Sequence, residues 1–146
     1  MNRIDELKND LDKHFKTNQY RFSHSFGDDV LEIPKEDVIP VLRHLKLNQK
    51  FDFLMDVCGA DYPNREKRFE VIYHLFASRD GRRLRVKTQL AEGEHVETAT
   101  KVWKGADWFE REAYDMFGIR FQGHPNLRKI LTHHQFQGHP LRKDYE

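Results

Sequence analysis

Three carboxylates and an arginine crowd the stretch Glu110-Arg111-Glu112-x-x-Asp115. On a helix they fill two turns, and Glu112 with Asp115 could act as a general acid and base, which requires two titratable groups within reach of one substrate. No nucleophile, metal cluster or substrate loop accompanies them. A helix cap, an ion-paired surface and one half-buried carboxylate bonded to an arginine explain them better. His124, His133, His134 and His139 lie within sixteen residues. Zinc takes such imidazoles, but adjacent histidines on an extended chain point opposite ways, and no Cys, Asp or Glu stands between 124 and 139 to complete a set. Packing or hydrogen bonding at a docking surface suits them better. Arg79, Arg82, Arg83, Arg85 and Lys87 form a basic patch that could meet phosphates, although a solvated strand face accounts for it more simply. Cys58, the single cysteine, reads as a small buried core residue. Alone it excludes an internal disulfide, a Cys-based zinc site and an iron–sulfur cluster held by this chain. No phosphate-cradling glycine loop and no Gly-x-Ser-x-Gly elbow is present.

The 146 residues suffice for about one domain. Aromatic residues at 12%, eleven of them Phe, argue against disorder. No apolar run is long enough to span a bilayer, and the first residues lack a signal-peptide apolar region, so a soluble, cytosolic chain is expected. Ile4, Leu7, Leu11 and Phe15 recur at helical spacing over 3–16. Tyr20, Phe22, His24 and Phe26 alternate as a strand, Gly27-Asp28-Asp29 turns, and Val30-Leu31-Glu32-Ile33 continues as a second. Val38, Val41, Leu42 and Leu45 restore helical spacing, with Asp37 as N-cap and Pro40 harmless in the first turn. Three strands follow: Phe51, Phe53, Met55 and Val57 on one face; Phe69, Val71, Tyr73 and Leu75 in a strand covered on both sides; then Leu84, Val86 and Thr88 against Arg83, Arg85 and Lys87, as in an exposed outer strand. Asp80-Gly81 between the last two is a hairpin signal. The order α-β-β-α-β-β-β predicts an α+β, two-layer domain with a mainly antiparallel sheet.

Val96, Ala99 and Trp103 predict a short helix ending at Gly105, after which Asp107 caps a last helix with Glu110 in a capping box. Phe109, Ala113, Met116 and Phe117 give that helix an apolar face, flanked by Trp108, with Glu112 inside the sector, where a carboxylate must find a partner or stay near solvent. Past Gly118 periodicity ends. Residues 1–118 carry 20 basic and 22 acidic side chains, whereas 119–146 carry 5 and 2. Phe121-Gln122-Gly123-His124-Pro125 returns as Phe136-Gln137-Gly138-His139-Pro140, each copy followed by Leu-Arg-Lys. Alternating apolar anchors and basic residues suit an extended strap laid on another surface. The chain therefore divides into a 1–118 core domain and a 119–146 partner-docking strap, and removal of 119–146 is expected to leave a folded domain.

The run Glu110-Arg111-Glu112-Ala113-Tyr114-Asp115-Met116-Phe117-Gly118-Ile119-Arg120-Phe121, with Gly123-His124-Pro125 and Leu127-Arg128-Lys129-Ile130-Leu131 after it, resembles the signature of the C subunit of NADH-quinone oxidoreductase, respiratory complex I. Asp56-Val57-Cys58-Gly59-Ala60-Asp61-Tyr62-Pro63, Arg68-Phe69-Glu70-Val71-Ile72-Tyr73-His74-Leu75 and Gly138-His139-Pro140-Leu141-Arg142-Lys143-Asp144-Tyr145 agree with the same family. Pro40 and His133-His134 depart from it. The resemblance implies a non-redox scaffold subunit of the quinone-reducing module, in a peripheral arm on the cytoplasmic side of the inner (plasma) membrane, without bilayer insertion. It implies no catalytic residue, cofactor or metal in this chain; FMN and iron–sulfur clusters sit in other subunits, which pass electrons from NADH to quinone. Its partners would be the D subunit and other peripheral-arm subunits, and no nucleic acid. Contacts would come from Trp108, Glu110, Arg111, Glu112, Asp115 and Phe117 on the last helix and from Phe121, His124, Pro125, Leu127, Arg128, Lys129, Ile130, Phe136, His139, Pro140, Leu141, Arg142, Lys143 and Tyr145 along the strap. Rim ion pairs of Arg128, Lys129, Arg142 and Lys143 would add about 0.2–1 kcal/mol each. Three rivals stand beside this reading: the equivalent subunit of a related membrane-bound hydrogenase, a nucleic-acid module using the basic hairpin and tail, and an acid–base hydrolase using Glu112 and Asp115.

Overall fold

Leu7 and Leu11, one helical turn apart on α1 (Arg3–His14), are buried in the same core as Val38, Ile39, Val41, Leu42 and Leu45 of α2 (Val38–Leu47). The computed structural model describes residues 3–25 and 27–125. Between the two helices run β1 (Arg21–Ser25) and β2 (Asp28–Glu32), and after α2 come β3 (Phe53–Asp61), β4 (Phe69–Phe76) and β5 (Arg83–Leu90). The five strands form one sheet in the order β1-β2-β5-β4-β3. Phe69, Val71, Tyr73 and Leu75 of β4 and Leu84, Val86 and Leu90 of β5 are all buried on the face that receives the helices. The fold is the expected α+β two-layer arrangement with a mainly antiparallel sheet.

Several local expectations need correction. β5 is central, not outer: it pairs antiparallel with β4 and parallel with β2, Leu31 opposite Val86. Its Arg85 and Lys87 are half-buried and ion-paired, with Arg85 Nη2 3.2 Å from Asp28 and Lys87 Nζ 3.5 Å from Glu70, so they are not free for phosphates. In β3 the register shifts between Leu54 and Asp56, leaving Met55 as the extra residue of a bulge. A bulge reverses which side chains share a face. Phe53 and Met55 are therefore exposed while Val57 is buried. Cys58 is half-buried on the outer face of the sheet, not in the core, with Sγ 3.3 Å from His74 Nε2. Pro40 is the third residue of α2, where its missing N–H would have had no intrahelical partner. Asp37 occupies the N-cap position as expected, but its side chain makes no cap hydrogen bond; its carboxylate instead accepts a 2.7 Å hydrogen bond from Tyr20 Oη. The segment expected as a short helix before Gly105 is β6 (His95–Glu97) followed by a single 3-10 turn, Ala99–Lys101. The last helix, α3 (Ala106–Phe117), leads into β7 (Arg120–Gln122), which pairs parallel with β6.

Candidate docking face on the last helix

Four residues of α3, Ala106, Glu110, Ala113 and Phe117, recur at helical spacing and turn toward the sheet. The small side chains allow close approach to β3, and Gly59 completes the fit. A Cβ there would lie 2.8 Å from Ile119 Cδ1 and 2.9 Å from Phe117 Cδ2. Gly118 ends the helix at φ 78°, a left-handed conformation that glycine adopts without strain, and its N–H donates to Tyr114 O at 2.8 Å.

Glu110, the carboxylate on that inner stripe, is 0% exposed. It accepts hydrogen bonds from Thr98 Oγ1 at 2.5 Å and from the Ala99 N–H at 2.7 Å. It thus secures the 3-10 turn before α3, and no side chain caps α3 itself, contrary to the expected capping box with Asp107. Loss of hydration pushes its carboxyl up to about 7, against the opposing pull of the two hydrogen bonds. Asp115 is likewise fully buried. Glu112 takes the second of the two courses open to it and stays at the solvent, exposed. Glu112 and Asp115 therefore do not open onto one common solvent-facing site as an acid–base pair would require.

The outward side of α3 presents Trp108, 51% exposed, with the Arg111 guanidinium 5.9 Å from its ring centroid, and Glu112. Arg120 stands 5.9 Å from the ring of Tyr114 just beyond. An exposed indole ringed by charges of both signs is the composition of an interface anchor. Of the expected contact residues, the structure brings Trp108, Arg111 and Glu112 together on this face. Glu110, Asp115 and Phe121 lie inside the domain, and Phe117 is half-buried against Gly59.

The beginning of the expected strap also belongs to the domain. Ile119 and Phe121 are each 2% exposed, and β7 is hydrogen-bonded beside β6. The His124 side chain is 0% exposed, its Nε2 3.1 Å from both the carbonyl oxygen and a carboxylate oxygen of Asp107. Pro125 is exposed. Deleting 119–146 would therefore remove core side chains, and a cut beyond 125 spares them. Leu127, Arg128, Lys129, Ile130, His133, His134, Phe136, His139, Pro140, Leu141, Arg142, Lys143 and Tyr145 fall outside the described residues.

Some structurally decisive groups escaped the sequence. Arg68 grips the buried Asp61 through two hydrogen bonds, Nε to Oδ1 at 2.8 Å and Nη2 to Oδ2 at 2.7 Å, closing the β3–β4 connection. Among the described residues two triads bring potential metal ligands within 4.8 Å of one another: Asp10, His14 and His44, and Asp56, Cys58 and His74. Each draws on two elements, so linear spacing reveals only a fragment of it. Burial and the nearby Asp56 push the Cys58 thiol up to about 11, which keeps it protonated and unreactive.

Residues 31–146 match the family model described as the respiratory-chain NADH dehydrogenase 30 Kd subunit. The fused C/D subunit of the NADH-quinone oxidoreductase of Bdellovibrio bacteriovorus is 64% identical over 146 residues, which is 100% of this chain and 26% of that protein. The C subunit of the NADH-quinone oxidoreductase of Agrobacterium fabrum is 50% identical over 123 residues, 83% of this chain and 62% of that one. The chain thus spans between a quarter and two thirds of the length of these relatives. A chain of the membrane-bound sulfane sulfur reductase, an archaeal respiratory membrane complex, shares the fold at a TM-score of 0.81 and 23% identity, covering 97% of this chain and 84% of that one.

Proposed function

Since the chain belongs to the family of the respiratory-chain NADH dehydrogenase 30 Kd subunit, we propose that it is a non-redox scaffold of the quinone-reducing module of a proton-translocating NADH-quinone oxidoreductase, docked on the D subunit. The observation that carries this reading is the Bdellovibrio protein, whose name joins C and D in one polypeptide and whose sequence matches this chain from end to end. Two parts fused in one relative are held within a linker's reach of each other, which favours a direct contact when they are separate. The outward face of α3 supplies a matching surface: Trp108 as the apolar anchor, Arg111 and Glu112 as its charged rim. The strap beyond residue 125 would extend that contact with its apolar and basic residues.

The scaffold role fits the chemistry of the described residues. The one thiol is held protonated, and of the signature's carboxylates Glu110 and Asp115 are buried inside the domain while Glu112 faces outward. FMN and iron–sulfur clusters would belong to other subunits, and the complex as a whole would carry electrons from NADH to quinone. Among the described residues no helix is long and apolar enough to cross a membrane; attachment through partner subunits on the cytoplasmic side accords with that. Co-expression with the D subunit tests the docking. Trp108→Ala should lower the co-purified yield of that partner about tenfold or more, the order of a hot-spot truncation, with unchanged circular dichroism and melting temperature. A chain truncated after residue 125 should also fold and lose the partner. Unchanged recovery of the D subunit by both variants would overturn the proposal.

A further inference from the structure

Asp10 and His14 stand one turn apart on α1, and His44 faces them from α2. His44 Nε2 lies 2.6 Å from Asp10 Oδ2, and His14 Nδ1 lies 3.7 Å from Asp10 Oδ1. The two imidazole rings are tilted at 42° with centroids 4.5 Å apart. We propose that Asp10, His14 and His44 form a site for a divalent transition cation of the zinc type, fastening the amino-terminal helix to α2. This goes beyond the scaffold role and does not depend on it.

The ligand set is two imidazoles and a carboxylate, the set that borderline cations such as Zn²⁺ accept, with a water in the remaining tetrahedral position. Metal–ligand bonds of about 2.0–2.2 Å place tetrahedral neighbours roughly 3.3 Å apart. With Asp10 binding through Oδ2, its 2.6 Å contact to His44 must open by about 0.7 Å, and the His14 ring, whose Nδ1 lies 3.1 Å from the Asp10 carbonyl oxygen, must turn from that oxygen toward the cation; both lie within side-chain adjustment. The surroundings orient the ligands. Gln49 Nε2 donates to Asp10 Oδ2 at 2.8 Å, and Phe15 packs edge-on to His44 at 5.5 Å. The His44 side chain is 9% exposed, whereas His14 is 48% exposed, which leaves an entry path and room for water on the His14 side. The second triad is less suitable. Arg85 pairs across the strands with His74, placing a cation beside it, and the Cys58 thiol resists deprotonation.

Titration of the chelator-treated full chain with Zn²⁺ alone, by calorimetry, tests the site. One equivalent should bind with micromolar or tighter affinity and raise the melting temperature. His14→Ala, at an exposed position, should keep the metal-free melting temperature but weaken binding about tenfold or more and abolish the zinc-induced rise. Cys58→Ser should bind as the parent does. Cobalt(II) in place of zinc should give visible d–d bands without a thiolate charge-transfer band. No saturable binding, binding unchanged in His14→Ala, or binding lost in Cys58→Ser would each overturn the assignment.

Discussion

Replacing Glu110 by glutamine isolates the titration of one buried group. The carboxyl is 0% exposed and titrates near 7 instead of 4.5, because lost hydration outweighs the hydrogen bonds from Thr98 and Ala99. A folded-state pKa above the unfolded one means that the folded protein holds the extra proton. The stability it contributes is complete below about pH 4.5 and disappears as pH rises through 7. At about 1.4 kcal/mol per pH unit, the loss across that window is roughly 3 kcal/mol. Glutamine keeps the size and one carbonyl acceptor but does not ionise. Urea unfolding of parent and Glu110→Gln, followed by tryptophan fluorescence at intervals from about pH 4.5 to 7.5, gives two stability curves. Every other titration is common to both and cancels in their difference. That difference should move by about 3 kcal/mol in favour of the variant toward neutral pH. A difference that stays flat over the whole range refutes the burial argument.

Arg68→Ala removes the two-pronged ion pair of the buried Asp61 carboxylate, which should cost about 3–5 kcal/mol in thermal or chemical unfolding. Arg68→Lys should recover only part of it, since an ammonium cannot reproduce the two-pronged contact. Gly59→Ala drives a methyl into Phe117 and Ile119 and should destabilise by about 1–3 kcal/mol, read as a lowered melting temperature. An unchanged melt would mean that α3 can lift away from β3.

The β4–β5 hairpin was legible because Asp80-Gly81 is a local signal, and Gly81 indeed takes φ 75°. Helix α2 was legible because Val38, Val41, Leu42 and Leu45 repeat at its own period. The signature from Glu110 to Phe121 pointed to the family through residue identity, without any three-dimensional inference. What stayed hidden depends on neighbours distant in sequence. β5 looks like an outer strand because its alternation is clean, yet its polar side chains are clothed by Asp28 and Glu70 from strands on either side. Met55 looks like a face-sharing partner of Val57 until the bulge is known. On α3 the wheel admits either Glu110 or Glu112 as the inner carboxylate. The choice falls to Glu110 because Ala106 and Ala113 are the small residues that let the helix settle on Gly59. That stripe of alanines was the available clue.

The parallel seam between β2 and β5 has a consequence for synthesis on the ribosome. Leu31 meets Val86, fifty-five positions later. The β1–β2 ribbon therefore emerges long before the strand that will cover its flank, and until then it presents an unfilled row of backbone donors and acceptors, a liability for association with other nascent chains. The β3–β4–β5 meander closes through neighbouring segments and should assemble first. The amino-terminal portion then joins a finished platform, as a late passenger.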